Sequence, residues 1–112
     1  MNIQKDEKIK EILRELASEF LMRESNRTSL ITITGVELFA RGSRAKILIT
    51  VLPEDQENAA LDFFTRRLGD LREYVQNHAR MMRVPFFEVG IDVGEKNRQR
   101  IDEIEREVEG TV

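Results

Sequence analysis

The stretch DQENAALDFFTRRLGDLREYVQNHARMMR, residues 55–83, decides the fold. Ala60, Phe64, Leu68, Leu71, Val75, Ala79 and Met82 recur at steps of three and four, the spacing that keeps an apolar stripe on one helical face. Gly69 interrupts this pattern. A glycine inside a helix costs about 1 kcal/mol relative to alanine, and no turn-forming cluster surrounds it. The expectation is two helices joined by a kink at Gly69, with Asp55 as the N-cap. Val84-Pro85 ends the second helix, because a residue before proline disfavours helical backbone.

On either side of this helical pair the period changes to two. In Leu30–Leu38, Ile31 and Ile33 alternate with Thr32 and Thr34, as in a strand. The phase then switches at Gly35 to Val36 and Leu38, which predicts a bulge. Phe39–Ser43 reads as a short connection, and Arg44–Leu52 as a second strand with Ala45, Ile47, Ile49 and Val51 on one face. So short a link predicts an antiparallel hairpin. Phe87, Val89, Ile91 and Val93 alternate as a third strand that Gly94 closes. Ile9, Ile12, Leu13, Leu16, Phe20 and Leu21 mark an amphipathic first helix, with a polar connection over Glu24–Ser29. Ile101, Ile104 and Val108 mark a last helix whose tail is expected to fray. The order is α-β-β-α-kink-α-β plus a C-terminal helix. A sheet this small needs helices over one face to build a core, which makes the fold class α+β. One domain over 1–112 is expected, structured from about 5 to 107.

Composition narrows the function. There are no cysteines and one histidine, so no disulfide framework and no thiolate nucleophile or metal site can form. His78 beside scattered carboxylates has no metal-ligand spacing. No G-x-x-x-x-G-K-[ST] or G-x-G-x-x-G motif occurs. Glu54, Asp55 and Glu57 could be taken for an acid/base pair, but acids gather at helix N-termini for electrostatic reasons. The apolar runs are too short to cross a bilayer, and the N-terminus shows no secretory signal. These features predict a cytoplasmic protein that is not an enzyme, with no cofactor, no metal and no small-molecule substrate. The absence of a spare apolar stripe or heptad predicts a monomer.

The net charge of −3 is unevenly spread. Residues 53–62 carry four acids and no base, and residues 101–112 carry five acids and one arginine. Residues 65–83 carry Arg66, Arg67, Arg72, Arg80 and Arg83 against Asp70 and Glu73. Arg41, Arg44 and Lys46 lie in a stretch without acids. A locally basic middle suits a polyanion better than the total charge suggests. On a helical wheel Arg66, Arg72, Arg80 and Arg83 oppose the apolar stripe, a face that would equally suit plain solvation. Arg67 falls at the stripe's edge, between Phe63 and Phe64. Either the kink turns it outward or its stem packs while its head reaches solvent. Tyr74 and Phe39 are candidate base-stacking rings.

The same segments carry a family resemblance. The α-β-β-α-α-β order resembles a type II KH domain, yet no two glycines stand three apart, so the RNA-clamping G-x-x-G loop is missing. A KH-like fold with a kinked helix pair in its place is similar to bacterial ribosome-binding factor A. Leu30–Leu38 resembles that family's first strand, Ala45–Val51 its second, Arg83-Val84-Pro85 with Ile91-Asp92 its third, and Arg100-Ile101-Asp102 with Ile104 its last helix. The match runs over about residues 8–105. The family's Ala-x-Gly at the kink is Arg67-Leu68-Gly69 here. Its Asp-Pro-Arg is Ser25-Asn26-Arg27, and its Ser-x-Asp-Leu is missing from Phe39–Ser43. The resemblance implies a non-catalytic assembly factor that binds the immature 30S small ribosomal subunit and assists 16S rRNA maturation. It implies rRNA contacts by Arg66, Arg67, Gly69 and Arg72 at the kink, supported by Arg41, Arg44, Lys46, Arg80 and Arg83. The alternative is a small protein–protein interaction module.

Overall fold

Alternating β-branched and polar residues build a mixed three-stranded sheet in the computed structural model, which describes residues 3–24, 30–81 and 83–110. Ser25–Ser29, which include the Ser25-Asn26-Arg27 segment, lie outside the described residues, as do Met82 and the side chain of Val108. Strand β1 (Leu30–Phe39) pairs antiparallel with β2 (Arg44–Leu52), and β3 (Phe86–Ile91) pairs parallel with β2, in the order β1-β2-β3. The predicted bulge is present: Ile33 faces Ile49, and the next pair is Gly35 with Leu48. Thr34 is the extra residue. Inserting it lets Ile33 and Val36 both point into the core despite their odd spacing.

Helices α1 (Ile3–Glu24), α2 (Glu57–Arg66) and α3 (Leu68–His78) cover the face of the sheet that carries Ala45, Ile47, Ile49 and Val51. Leu13, Ala17, Phe20 and Leu21 of α1, Ala60 and Phe64 of α2, and Leu71 and Val75 of α3 complete one buried cluster. Each large apolar side chain there is worth about 1.5–3 kcal/mol of burial. From Ala60 to Val75 the stripe packs as its spacing predicts, with Leu68 partly buried at its edge; Ala79 is partly buried beyond the helix end, and Met82 lies outside the described residues.

Four boundaries differ from the sequence reading. The N-terminal turn before α2 is a 3₁₀ segment, Glu54–Gln56, so Gln56 rather than Asp55 occupies the N-cap. Helix α3 ends at His78, because Ala79 is already extended at φ −121°, ψ 141°. The interruption falls at Arg67, not at Gly69, which lies within α3. Val93 and Gly94 do not extend β3 but open α4 (Val93–Gly110). Asp92 causes the last change. Its Oδ1 accepts the backbone N–H of Glu95 at 3.0 Å and its carbonyl accepts that of Lys96 at 3.0 Å, which is N-cap geometry.

Helix α4 leaves the body of the molecule, whose principal extents are 56 × 32 × 20 Å. Lys96 bridges Glu54 and Glu57, and Arg100 pairs with Glu54, fixing its first half. These partners hold the Glu54 carboxyl below the usual carboxylate range, Lys96 contributing most, and raise Lys96 in return. Beyond them Ile101 and Ile104 stand 56% and 60% exposed. This apolar pair, which the sequence reading assigned to a last helix, stands open on it.

Candidate nucleic-acid interface

The break between α2 and α3 is a self-contained joint. Arg67 takes up φ −106°, ψ 6°, in the sparsely allowed bridge region. Its N–H turns from the i−4 to the i−3 carbonyl, bonding Phe64 O at 3.0 Å, while its own carbonyl accepts Leu71 N–H at 2.9 Å to start α3. This leaves the carbonyl of Phe63, which Arg67 N–H would serve in a continuous helix. The Arg67 guanidinium donates to that oxygen at 3.4 Å. It also lies 3.9 Å from the centre of the Phe63 ring and 3.8 Å from the Glu24 carboxylate. Of the two placements open to it, the second holds: the side chain packs on Phe63, and about one-third of it remains exposed.

Arg72 is also committed. It donates to the Val84 carbonyl at 3.1 Å and lies 4.1 Å from the centre of the Phe86 ring. Its Nε is buried with no acceptor among the described residues. This guanidinium pins the chain where it enters β3. The helical wheel places it in solvent, but a wheel does not register the segment that returns over the helix. A shallow groove lined by Leu68, Gly69, Arg72, Glu73, Gln76, Asn77, Phe86 and Phe87 runs alongside.

The remaining cations separate into three places. Arg66 is exposed at the end of α2. Lys46 alternates with the buried Ala45 and Ile47, so it lies on the sheet face away from the helices. There it is in register with Glu37 and Glu88 and passes over Gly90, whose missing side chain makes room for it. Arg41 and Arg44 stand at the hairpin end, Arg44 lying 5.8 Å from the centre of the Phe39 ring. Arg41, Arg80 and Arg83 come together around one groove with the N-terminal turns of α1. The hairpin reaches it through three consecutive left-handed residues: Ala40 at φ 51°, Arg41 at φ 56° and Gly42 at φ 81°. For the two that are not glycine this costs roughly 1–2 kcal/mol each.

The candidate rings fare differently. Tyr74 stacks on His78 at 4.0 Å, contacts Phe20 and Arg23, and its hydroxyl donates to Glu19 at 3.2 Å. His78 Nδ1 lies 2.7 Å from the Tyr74 carbonyl, to which it donates. Both rings are occupied within the fold. Phe39 remains 37% exposed.

The family model for ribosome-binding factor A matches residues 5–105. The chain belongs to that family. Ribosome-binding factor A from Thermodesulfovibrio yellowstonii is 27% identical over 107 residues, spanning 94% of this chain and 91% of the relative. The crystal structure of ribosome-binding factor A from Thermus thermophilus superposes with a TM-score of 0.63 at 24% identity, covering 70% of this chain and 86% of that one. A homology model of the Thermus thermophilus factor, fitted into a cryo-electron microscopy map of its 30S complex, gives 0.62 at the same identity and coverage. The α+β fold expected from the resemblance is thus that of ribosome-binding factor A. The sequence reading missed the groove shared by α1, the hairpin and the α3 exit. Its signal was in the sequence: Lys5, Ile9 and Ile12 share one side of α1, and Met81 stands between two arginines.

Proposed function

We propose that this chain binds the immature small ribosomal subunit and assists maturation of its 16S rRNA without catalysis, as a cytoplasmic monomer. The family match across residues 5–105 carries this reading, and a family relative is known in complex with a 30S particle. The arginine geometry supports it and redistributes the contacts. Arg41, Arg44, Arg66, Arg80 and Arg83 are exposed; Arg41, Arg80 and Arg83 share one groove and form the main phosphate-facing surface, with Arg44 and Arg66 apart from it. Arg67 and Arg72 are each held within the fold, by the Phe63 and Val84 carbonyls, and position the helices behind it. Gly69 leaves open backbone at the start of α3. Asp102, Glu103, Glu105 and Glu107 on α4 repel RNA and face away from it. Binding one rRNA conformation more tightly than its competitors shifts a folding equilibrium by that differential affinity, so no reaction chemistry is required.

Sedimentation of cell extract on a density gradient tests the reading. The expected result is co-migration with free small subunits and absence from translating ribosomes. Migration apart from all ribosomal particles at every salt concentration refutes it. The exposed Ile101 and Ile104 favour a second reading, docking of a protein partner on α4. That reading predicts particle binding that survives loss of the exposed arginines but not of these two isoleucines.

A further inference from the structure

The groove at the α3 exit has a chemistry that the arginines alone do not describe. Ile9, Ile12, Leu38 and Met81 line it together with Lys5, Arg41, Gly42, Arg80 and Arg83, and Asp6 is the one acid. Its volume is about 510 Å³, within the range of roughly 300–1,000 Å³ typical of ligand sites. Among the described residues none of the four cations forms an ion pair. The turn that presents Arg41 is held in left-handed backbone at a conformational cost, which closing a hairpin does not by itself require at three successive residues. An apolar floor edged by several unpaired cations fits a ligand with an apolar plane between anionic flanks.

We propose that this groove seats an unpaired nucleotide of an RNA single strand. The base lies on the aliphatic floor, and the phosphates before and after it meet Lys5, Arg41, Arg80 and Arg83. The proposal rests on the reading of the chain as an rRNA binder and names the part of the rRNA that it grips. An intact duplex satisfies the rim but not the floor, because its bases are stacked away from such a slot. A splayed base satisfies both. An assembly factor that holds a strand open in this way binds immature rRNA and loses its site once that strand pairs.

Fluorescence anisotropy of the full chain tests this, with a labelled single-stranded oligoribonucleotide and the same strand in a perfect duplex. The wild type should bind the single strand at least about tenfold more tightly. Replacing Arg41, Arg80 and Arg83 together by Gln should lower the slope of log affinity against log salt by about 2, since each phosphate contact on a single strand contributes roughly 0.7. Ile12→Gln with Met81→Gln should cost about tenfold on the single strand and leave both the slope and duplex binding unchanged. Arg98→Gln, on α4, should change nothing. Ile12 and the three arginines are exposed, and because Met81 packs against the core, circular dichroism melts of each variant must show the fold retained before its binding is compared. Equal affinity for strand and duplex, an unchanged slope in the arginine variant, or displacement of the strand by an acidic amphipathic peptide at lower concentration each overturns the proposal. Gradient sedimentation separates the two failures. Wild-type co-migration with free subunits, unaffected in the groove variants, refutes this seat alone, whereas absence of wild-type co-migration refutes the rRNA-binder reading itself.

Discussion

Replacing Gly69 by alanine should make the protein more stable. Gly69 lies in helical backbone within α3, and Gly42 is the one described glycine with a positive φ. A methyl group built on it meets nothing within 4 Å. Neither strain nor a clash opposes the substitution, so what remains is the entropy the unfolded chain loses, about 0.4–1 kcal/mol in favour of folding. At roughly 4–8 °C per kcal/mol for a domain of about this size, the melting temperature should rise by about 2–8 °C. Urea unfolding followed by circular dichroism measures the effect, with the midpoint rising at constant slope. A loss of more than about 0.5 kcal/mol refutes the reasoning, because it requires a backbone at residue 69 that is not helical or a space that is not open. The same variant bears on function. Gained stability with weakened subunit binding would mean that a ligand approaches the bare backbone there.

Gly42→Ala should act in the opposite direction, destabilising by about 1 kcal/mol or more in urea unfolding, since alanine must be forced to φ 81°. Arg72→Gln should cost about 1–2 kcal/mol by losing the bond to the Val84 carbonyl, and hydrogen exchange should locate the loosening at the start of β3. Asp92, which accepts the Thr34 hydroxyl at 2.6 Å and the Glu95 N–H, is held below the usual carboxylate range chiefly by the Thr34 bond. Its contribution is therefore complete above the unfolded value of about 3.9 and is lost as pH falls through the lower folded value. Asp92→Asn should unfold more easily than wild type at neutral pH and converge with it in acid. A gap that stays constant with pH rules this out.

The sheet and the apolar stripe were legible because each is a periodic signal in which every residue reports the same orientation. Ile33 and Val36 even disclosed the bulge, since only an inserted Thr34 lets both face inward. The boundaries were not legible for reasons that are tertiary. Val93 continues the strand alternation perfectly, but Asp92 is reached across the sheet by Thr34 and caps the following helix instead. Asp92-Val93-Gly94-Glu95 is a capping-box spacing, and weighing it against the alternation would have moved the boundary. Arg72 looked solvent-facing because a helical wheel has no knowledge of the segment at Val84–Phe86 that folds over it.

The kink is the instructive case, because a sequence signal was real and pointed to the wrong residue. A glycine weakens a helix without specifying where it breaks. The break settles where the cost of the lost backbone bond is smallest, and here that is one turn after Phe63. Arg67 gives up the i−4 bond with its backbone and restores it with its side chain, stacking on the ring of the residue whose carbonyl it serves. Alanine at this position would have no such donor and would leave that carbonyl to water or to a ligand. Arg67 thus closes at the break a polar group that a residue without a side-chain donor would leave open. On the proposed reading, anion binding then falls to Arg41, Arg80 and Arg83, which form no ion pair among the described residues.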